Sequence, residues 1–173
     1  RLLVHRDVIG DFTDRLVSVV KKARVGDPHD PKTQIGPMAN RPQYERVLQC
    51  IADAESAGHR LLLDGRSSCR DTGYYIGPTI FSDVPNDSDL AQHEVFGPVV
   101  STEAWDTEEE VIRTANATVY GLAAGVWSGD VARAMRMAEQ IEAGTVYINN
   151  YFNAATQSPV GGCHQSGYGR ETA

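Results

Sequence analysis

Residues 107–149 read TEEEVIRTANATVYGLAAGVWSGDVARAMRMAEQIEAGTVYIN, and this stretch decides the fold class. Thr107 followed three residues later by Glu110 has the form of a capping box, so a helix starts there. Val111, Ile112 and Ala115 give that helix an apolar face. Ala123 to Trp127 is a short apolar run bounded by glycine and Ser128, which predicts a strand. Asp130 caps a second helix, with Val131, Met135, Ala138 and Ile141 expected inward and Gly144 as its stop. Thr145 to Asn149 then predicts another apolar strand. Helices alternating with short buried strands argue for a mostly parallel sheet with helices packed on it.

Reading backward, Pro98 to Trp105, Thr79 to Val84 and Arg60 to Leu63 predict three more strands. Pro78 and Pro85 confine the second of these. A helix is expected from Asn40, with Pro42 in its first turn, Tyr44, Val47, Leu48 and Ile51 on its buried side, and Gly58 at its end. An earlier helix is expected from a cap at Asp7. Ile9, Phe12, Leu16, Val19, Val20 and Ala23 lie on its apolar face, and Lys21, Lys22 and Arg24 in its last turn. Residues 26–37 read as an irregular connection. The order from Arg60 is strand, strand, strand, helix, strand, helix, strand. The class is α/β, and residues 1–173 are expected to form a single domain.

Composition narrows the function. Apolar residues make up 41% and charged residues 23% of 173, the balance of a chain that folds around a core. The net charge of −7 and the scattered bases disfavour nucleic acid as a partner. No apolar run reaches the ~18 residues of a membrane-spanning helix, so no membrane partner is expected. Cys50, Cys69 and Cys163 form no Cys-x-x-Cys pair. They read as free thiols in a reducing, cytoplasmic setting, and no metal site is expected. The start at Arg1 without methionine reads as processing or as a piece of a longer protein.

Catalytic signals taken residue by residue are sparse. No phosphate-binding glycine loop follows a strand. Cys163-His164 are sequence neighbours, which rarely orient as nucleophile and base, so a structural position in a glycine-rich tail is expected. That tail reads as a loop laid across the end of the sheet. His5, His29 and His59 read as isolated surface residues.

Six segments together resemble the aldehyde dehydrogenase superfamily. They are His93-Glu94-Val95-Phe96-Gly97-Pro98-Val99, the run from Ala115 to Ala123, the run from Ala143 to Asn149, the tail from Pro159 to Glu171, and Val25-Gly26-Asp27-Pro28 with Gly77-Pro78-Thr79. They fall in family order, and the resemblance covers the chain from Arg1 to Ala173. The resemblance implies a C-terminal catalytic-domain fragment that begins just after the nucleophilic cysteine. The nucleophile, the general base, the dinucleotide-binding domain and the C-terminal oligomerisation segment are expected to be absent, and no catalytic residue is assigned here.

By position, the resemblance makes Glu94 the acceptor for the nicotinamide ribose and Phe96 the aromatic that packs against the nicotinamide end. Asn149, Asn153, Ala154 and Val160 fall in the segment that walls the aldehyde tunnel. Ala154 and Val160 stand where the family often has larger aromatics, which implies a wider tunnel. The implied reaction is oxidation of an aldehyde to a carboxylic acid through a cysteine thiohemiacetal and thioester, with NAD or NADP as cofactor. A homo-dimer or homo-tetramer is implied for the full-length protein, and no turnover for the fragment alone. The alternative is a non-catalytic binding or assembly module of the same family. A third reading is an acyl-transfer enzyme using Cys163.

Overall fold

The computed structural model describes residues 1–68, 72–153 and 157–172. Cys69 and Ala154 lie outside the described residues. The chain forms two compact units, Arg1–Trp105 and Asp106–Ala173.

The first unit holds β1 (Leu2–His5), α1 (Ile9–Val20), α2 (Arg41–Ser56), β2 (Arg60–Leu63), β3 (Thr79–Ser82), α3 (Asp89–Gln92) and β4 (Val99–Trp105). Its sheet runs β1-β4-β3-β2. β4 pairs in parallel with both β1 and β3, and β2 joins antiparallel at one edge. β3 is buried along its whole length, with Pro78 just outside it, so its ladder donors are intact. α2 starts where the sequence predicted. The Asn40 carboxamide oxygen accepts from the Gln43 backbone N–H at 2.9 Å, and Pro42 lies in the first turn. Gly58 follows the helix at φ +84°, a left-handed stop that suits glycine. Val47, Ile51 and Ala54 of α2 pack with Ile76, Phe81, Val84 and Ala91 into the core. A fully buried Val, Ile or Phe contributes about 1.5–3 kcal/mol.

Several expectations in this unit need correction. Leu2–His5 is a strand where the sequence predicts none; it pairs with distant β4, with Leu2 opposite Thr102. Asp7 does not cap α1: the cap position is Val8, with no side-chain cap bond. Lys21, Lys22 and Arg24 lie beyond the helix end, because α1 closes at Val20. The predicted apolar face exists as a pattern, yet no residue of α1 is buried and Val19 is 68% exposed. His5 is no isolated surface ring: it meets Trp105 edge-on at 4.7 Å between centroids.

The second unit holds α4 (Glu108–Asn116), β5 (Ala123–Val126), α5 (Val131–Gln140) and β6 (Thr145–Ile148), with β5 and β6 parallel. Thr107 caps α4 by accepting from the Glu110 N–H at 3.1 Å. The return bond of the box is shifted by one residue, since Glu110 accepts from the Asp106 N–H at 2.8 Å. Asp130 caps α5 by accepting from Arg133 N–H at 3.1 Å. Glu108 ties the two helices together by accepting from Arg133 and Arg136. Both guanidinium groups hold its carboxyl below the usual glutamate range.

The predicted face of α5 is right for Ala138 and Ile141, which are half-buried, and wrong for its other two residues. Ala134 and Met137 are buried, whereas Val131 is 67% and Met135 49% exposed. Gly144 does not stop α5, which ends at Gln140. Gly144 is needed for another reason: a Cβ there would lie 1.6 Å from the Gly161 carbonyl oxygen. The tail and the strand approach backbone to backbone at that point.

Candidate functional site

In the first unit, the segment after α3 forms a turn before β4. Ser88 caps α3, accepting from Ala91 N–H at 3.3 Å, and His93 closes it by donating its backbone N–H to Asp89 O. The chain then turns through Glu94, Val95, Phe96 and Gly97. Phe96 has φ +52°, an uncommon conformation for a bulky residue. Such a conformation persists when its surroundings over-determine it.

Those surroundings come from α2. The Gln43 Nε2 group donates to Val95 O at 2.9 Å and to Phe96 O at 2.8 Å. Arg46 Nη2 donates to Glu94 O at 3.0 Å. Three consecutive carbonyls are thus taken by two side chains one helical turn apart. Gly97 has no room for a Cβ, which would sit 2.6 Å from Val47 Cγ2. Pro98 O then accepts from Thr79 N–H at 2.8 Å, which sets the start of the β3–β4 ladder.

With the backbone turned inward, the side chains of Glu94 and Phe96 face out. Phe96 is 70% exposed, and Glu94 is exposed with no partner for its carboxylate among the described residues. A free carboxylate can accept from two hydroxyls of a vicinal diol, and an exposed ring can stack on a flat heterocycle. The structure places the two predicted cofactor residues on one turn whose carbonyls are bonded to α2. Gln43 and Arg46 were missed, because nothing in the spacing of α2 relates it to residues 94–96.

In the second unit, Asn149 follows β6 at φ +51°. Its carboxamide oxygen accepts from Ser128 N–H and its Nδ2 donates to Ser128 O, both at 2.9 Å. The amide is therefore spent on tying the ends of β5 and β6 together. Tyr151 meets Tyr147 at 5.2 Å and Phe152 at 4.6 Å between ring centroids. Asn153 is exposed, Val160 is partly open at 43%, and Ala154 lies outside the described residues. Val160 exchanges both backbone bonds with Glu171, at 3.1 and 2.8 Å.

The tail folds back as predicted. Cys163 N–H donates to Gly121 O at 2.8 Å, Gln165 N–H to Val119 O at 2.9 Å, and Gly121 N–H to Ser166 Oγ at 2.9 Å. His164 Nε2 lies 2.8 Å from Glu142 Oε2. The imidazole is thus engaged by a carboxylate rather than by the neighbouring thiol. The described residues contain no cluster of three His, Cys, Asp or Glu able to hold a metal ion. Among them no helix is long and apolar enough to cross a membrane.

The family model for the aldehyde dehydrogenase family matches residues 1–173. The betaine aldehyde dehydrogenase of Brucella anthropi is 45% identical over 99% of this chain and 36% of that protein. The crystal structure of the NAD-dependent aldehyde dehydrogenase from Sinorhizobium meliloti matches with a TM-score of 0.95 at 36% identity, covering 98% of this chain and 34% of that one. The NAD+ complex of aldehyde dehydrogenase from Bacillus cereus matches with a TM-score of 0.93 at 38% identity, over 97% of this chain and 34% of that one. The chain spans about a third of the length of these relatives. With its motifs in order, its backbone shared with solved members and every residue inside one family's match, the chain belongs to the aldehyde dehydrogenase family.

Proposed function

We propose that the whole protein oxidises an aldehyde to a carboxylic acid with NAD or NADP, and that this chain supplies the turn that orients the nicotinamide end. One observation carries the reading: the backbone of residues 94–96 is captured by α2, leaving Glu94 and Phe96 free to face a ligand. The NAD-dependent and NAD+-bound relatives support the cofactor class. When bound, the nicotinamide supplies a hydride acceptor. Glu94 accepts hydrogen bonds from the ribose hydroxyls, and Phe96 packs on the ring. Together they hold it in reacting geometry. Asn149, Asn153 and Val160 wall the aldehyde side. Asn149 does so through its fixed backbone, since its amide is engaged by Ser128.

The covalent steps, thiohemiacetal and then thioester, belong in this reading to a cysteine outside the chain. Cys163 is not assigned to them, because the imidazole beside it in sequence is paired with Glu142. The test is cofactor reduction with a panel of aldehydes. The full-length protein is expected to form one acid per reduced cofactor. The isolated chain is expected to give no turnover above a cysteine-blocked control. A full-length protein that reduces neither NAD nor NADP with any aldehyde, or an isolated chain that does, would overturn the reading.

A further inference from the structure

We infer that Gln43 is a positioning residue for hydride transfer, acting through the turn that carries Glu94 and Phe96. The inference rests on the roles proposed above for those two residues. Gln43 uses both hydrogens of one amide on adjacent carbonyls, Val95 O at 2.9 Å and Phe96 O at 2.8 Å. These carbonyls flank the residue held at φ +52°. A left-handed phenylalanine is disfavoured by contact of its Cβ with the backbone, so a released turn would relax toward negative φ. That change would swing the Phe96 ring and the Glu94 carboxylate together.

The seat itself is anchored on both sides. Gln43 N–H is fixed by the Asn40 cap at 2.9 Å. Val47, one residue past Arg46, is fully buried and closes against Gly97. Arg46 holds the Glu94 carbonyl at 3.0 Å and completes the grip. The Gln43 amide is committed to protein backbone, so its effect on chemistry is indirect. A donor is the necessary feature. Glutamate has the same shape but offers only acceptors to the two carbonyls at neutral pH.

The experiment uses the full-length protein and single-turnover hydride transfer. Gln43→Met and Gln43→Glu are each expected to slow the transfer by about 5- to 150-fold, the range for losing two neutral hydrogen bonds. Cofactor Kd is expected to change less than the rate does. In a Phe96→Ala, Glu94→Gln background the further penalty of Gln43→Met is expected to fall to about threefold or less, because the groups it positions are gone. A merely structural role would lower the urea midpoint and leave the penalty undiminished in that background, and this result would overturn the inference. Wild-type rates in both Gln43 variants, with Phe96→Ala or Glu94→Gln impaired, would overturn it alone. Wild-type rates in Phe96→Ala and Glu94→Gln would remove the reading beneath it as well.

Discussion

Gly144→Ala asks whether the tail's close approach is a true constraint. Gly144 does not lie at positive φ, so alanine suits the backbone conformation and only space is at issue. The new Cβ would lie 1.6 Å from Gly161 O and 2.8 Å from Gly161 C. An ordinary C···O contact needs about 3.3 Å, so the Gly161 carbonyl must move by roughly 1.7 Å. Gly161 cannot move alone. Gly162 O accepts from Arg170 Nη1 at 3.0 Å, and Cys163 and Gln165 donate to Gly121 and Val119. Losing these three bonds costs about 3 kcal/mol at about 1 kcal/mol net each. The more restricted unfolded chain offsets about 0.4–1 kcal/mol. The expected net loss is about 2–3 kcal/mol, read from urea unfolding, together with faster proteolysis of the tail after Pro159. Gly10→Ala is the control: nothing lies within 4 Å of its Cβ, and it sits inside α1. That change should be neutral or stabilise by up to ~1 kcal/mol. A Gly144→Ala protein within about 0.5 kcal/mol of wild type would refute the reasoning.

Thr107→Ala should cost about 1 kcal/mol by removing the cap of α4, and Thr107→Ser should restore most of it in the same unfolding assay. Asn149→Ala removes both bonds to Ser128 and a side chain that tolerates left-handed backbone, so a loss of about 2–4 kcal/mol is expected. Asn149→Gly should recover only the conformational part, and equal stability of the two variants would count against the split. Arg66 donates to Asp64 and holds its carboxyl below the usual range. A folded pKa below the unfolded value near ~3.9 gives stability that is present above that value and lost as pH falls through the folded one. Asp64→Asn should therefore flatten the acid limb below about pH 4, and the difference should shrink with salt because the carboxylate is partly exposed. An unchanged acid limb would show that Asp64 is not part of it.

Features written in short-range chemistry were legible in the sequence. Thr107 and Asp130 cap their helices as expected, and Asn40 caps the helix expected to start near it, because in each a side-chain oxygen meets an N–H three residues on; Asp7, expected to cap α1, does not. Features set by distant partners were not. β1 is a strand because β4 lies beside it, and four residues carry no periodicity strong enough to say so. Part of the α5 face was misread because Val131 and Met135 look like core residues, while the small Ala134 is the one that faces inward. Gly144 looked like a helix stop, yet its lack of a Cβ serves a segment that begins at Gly161. At the site, Glu94 and Phe96 were visible only through the resemblance of their box. The grip of Gln43 and Arg46 on it joins residues about fifty positions apart. No local pattern records such a pairing.

The most direct test of the account is to compare cofactor affinity with single-turnover hydride transfer in full-length Glu94→Gln and Phe96→Ala proteins. Glu94 and Phe96 sit on a clamped turn with their side chains free, so both should act on orientation more than on affinity. Loss of one charge-assisted bond costs about 1.5–3 kcal/mol, which is roughly 10- to 150-fold in rate if felt in the transition state. That slowing is expected in Glu94→Gln, with a comparable slowing in Phe96→Ala and a smaller change in Kd for both. Wild-type transfer rates in both variants would contradict it.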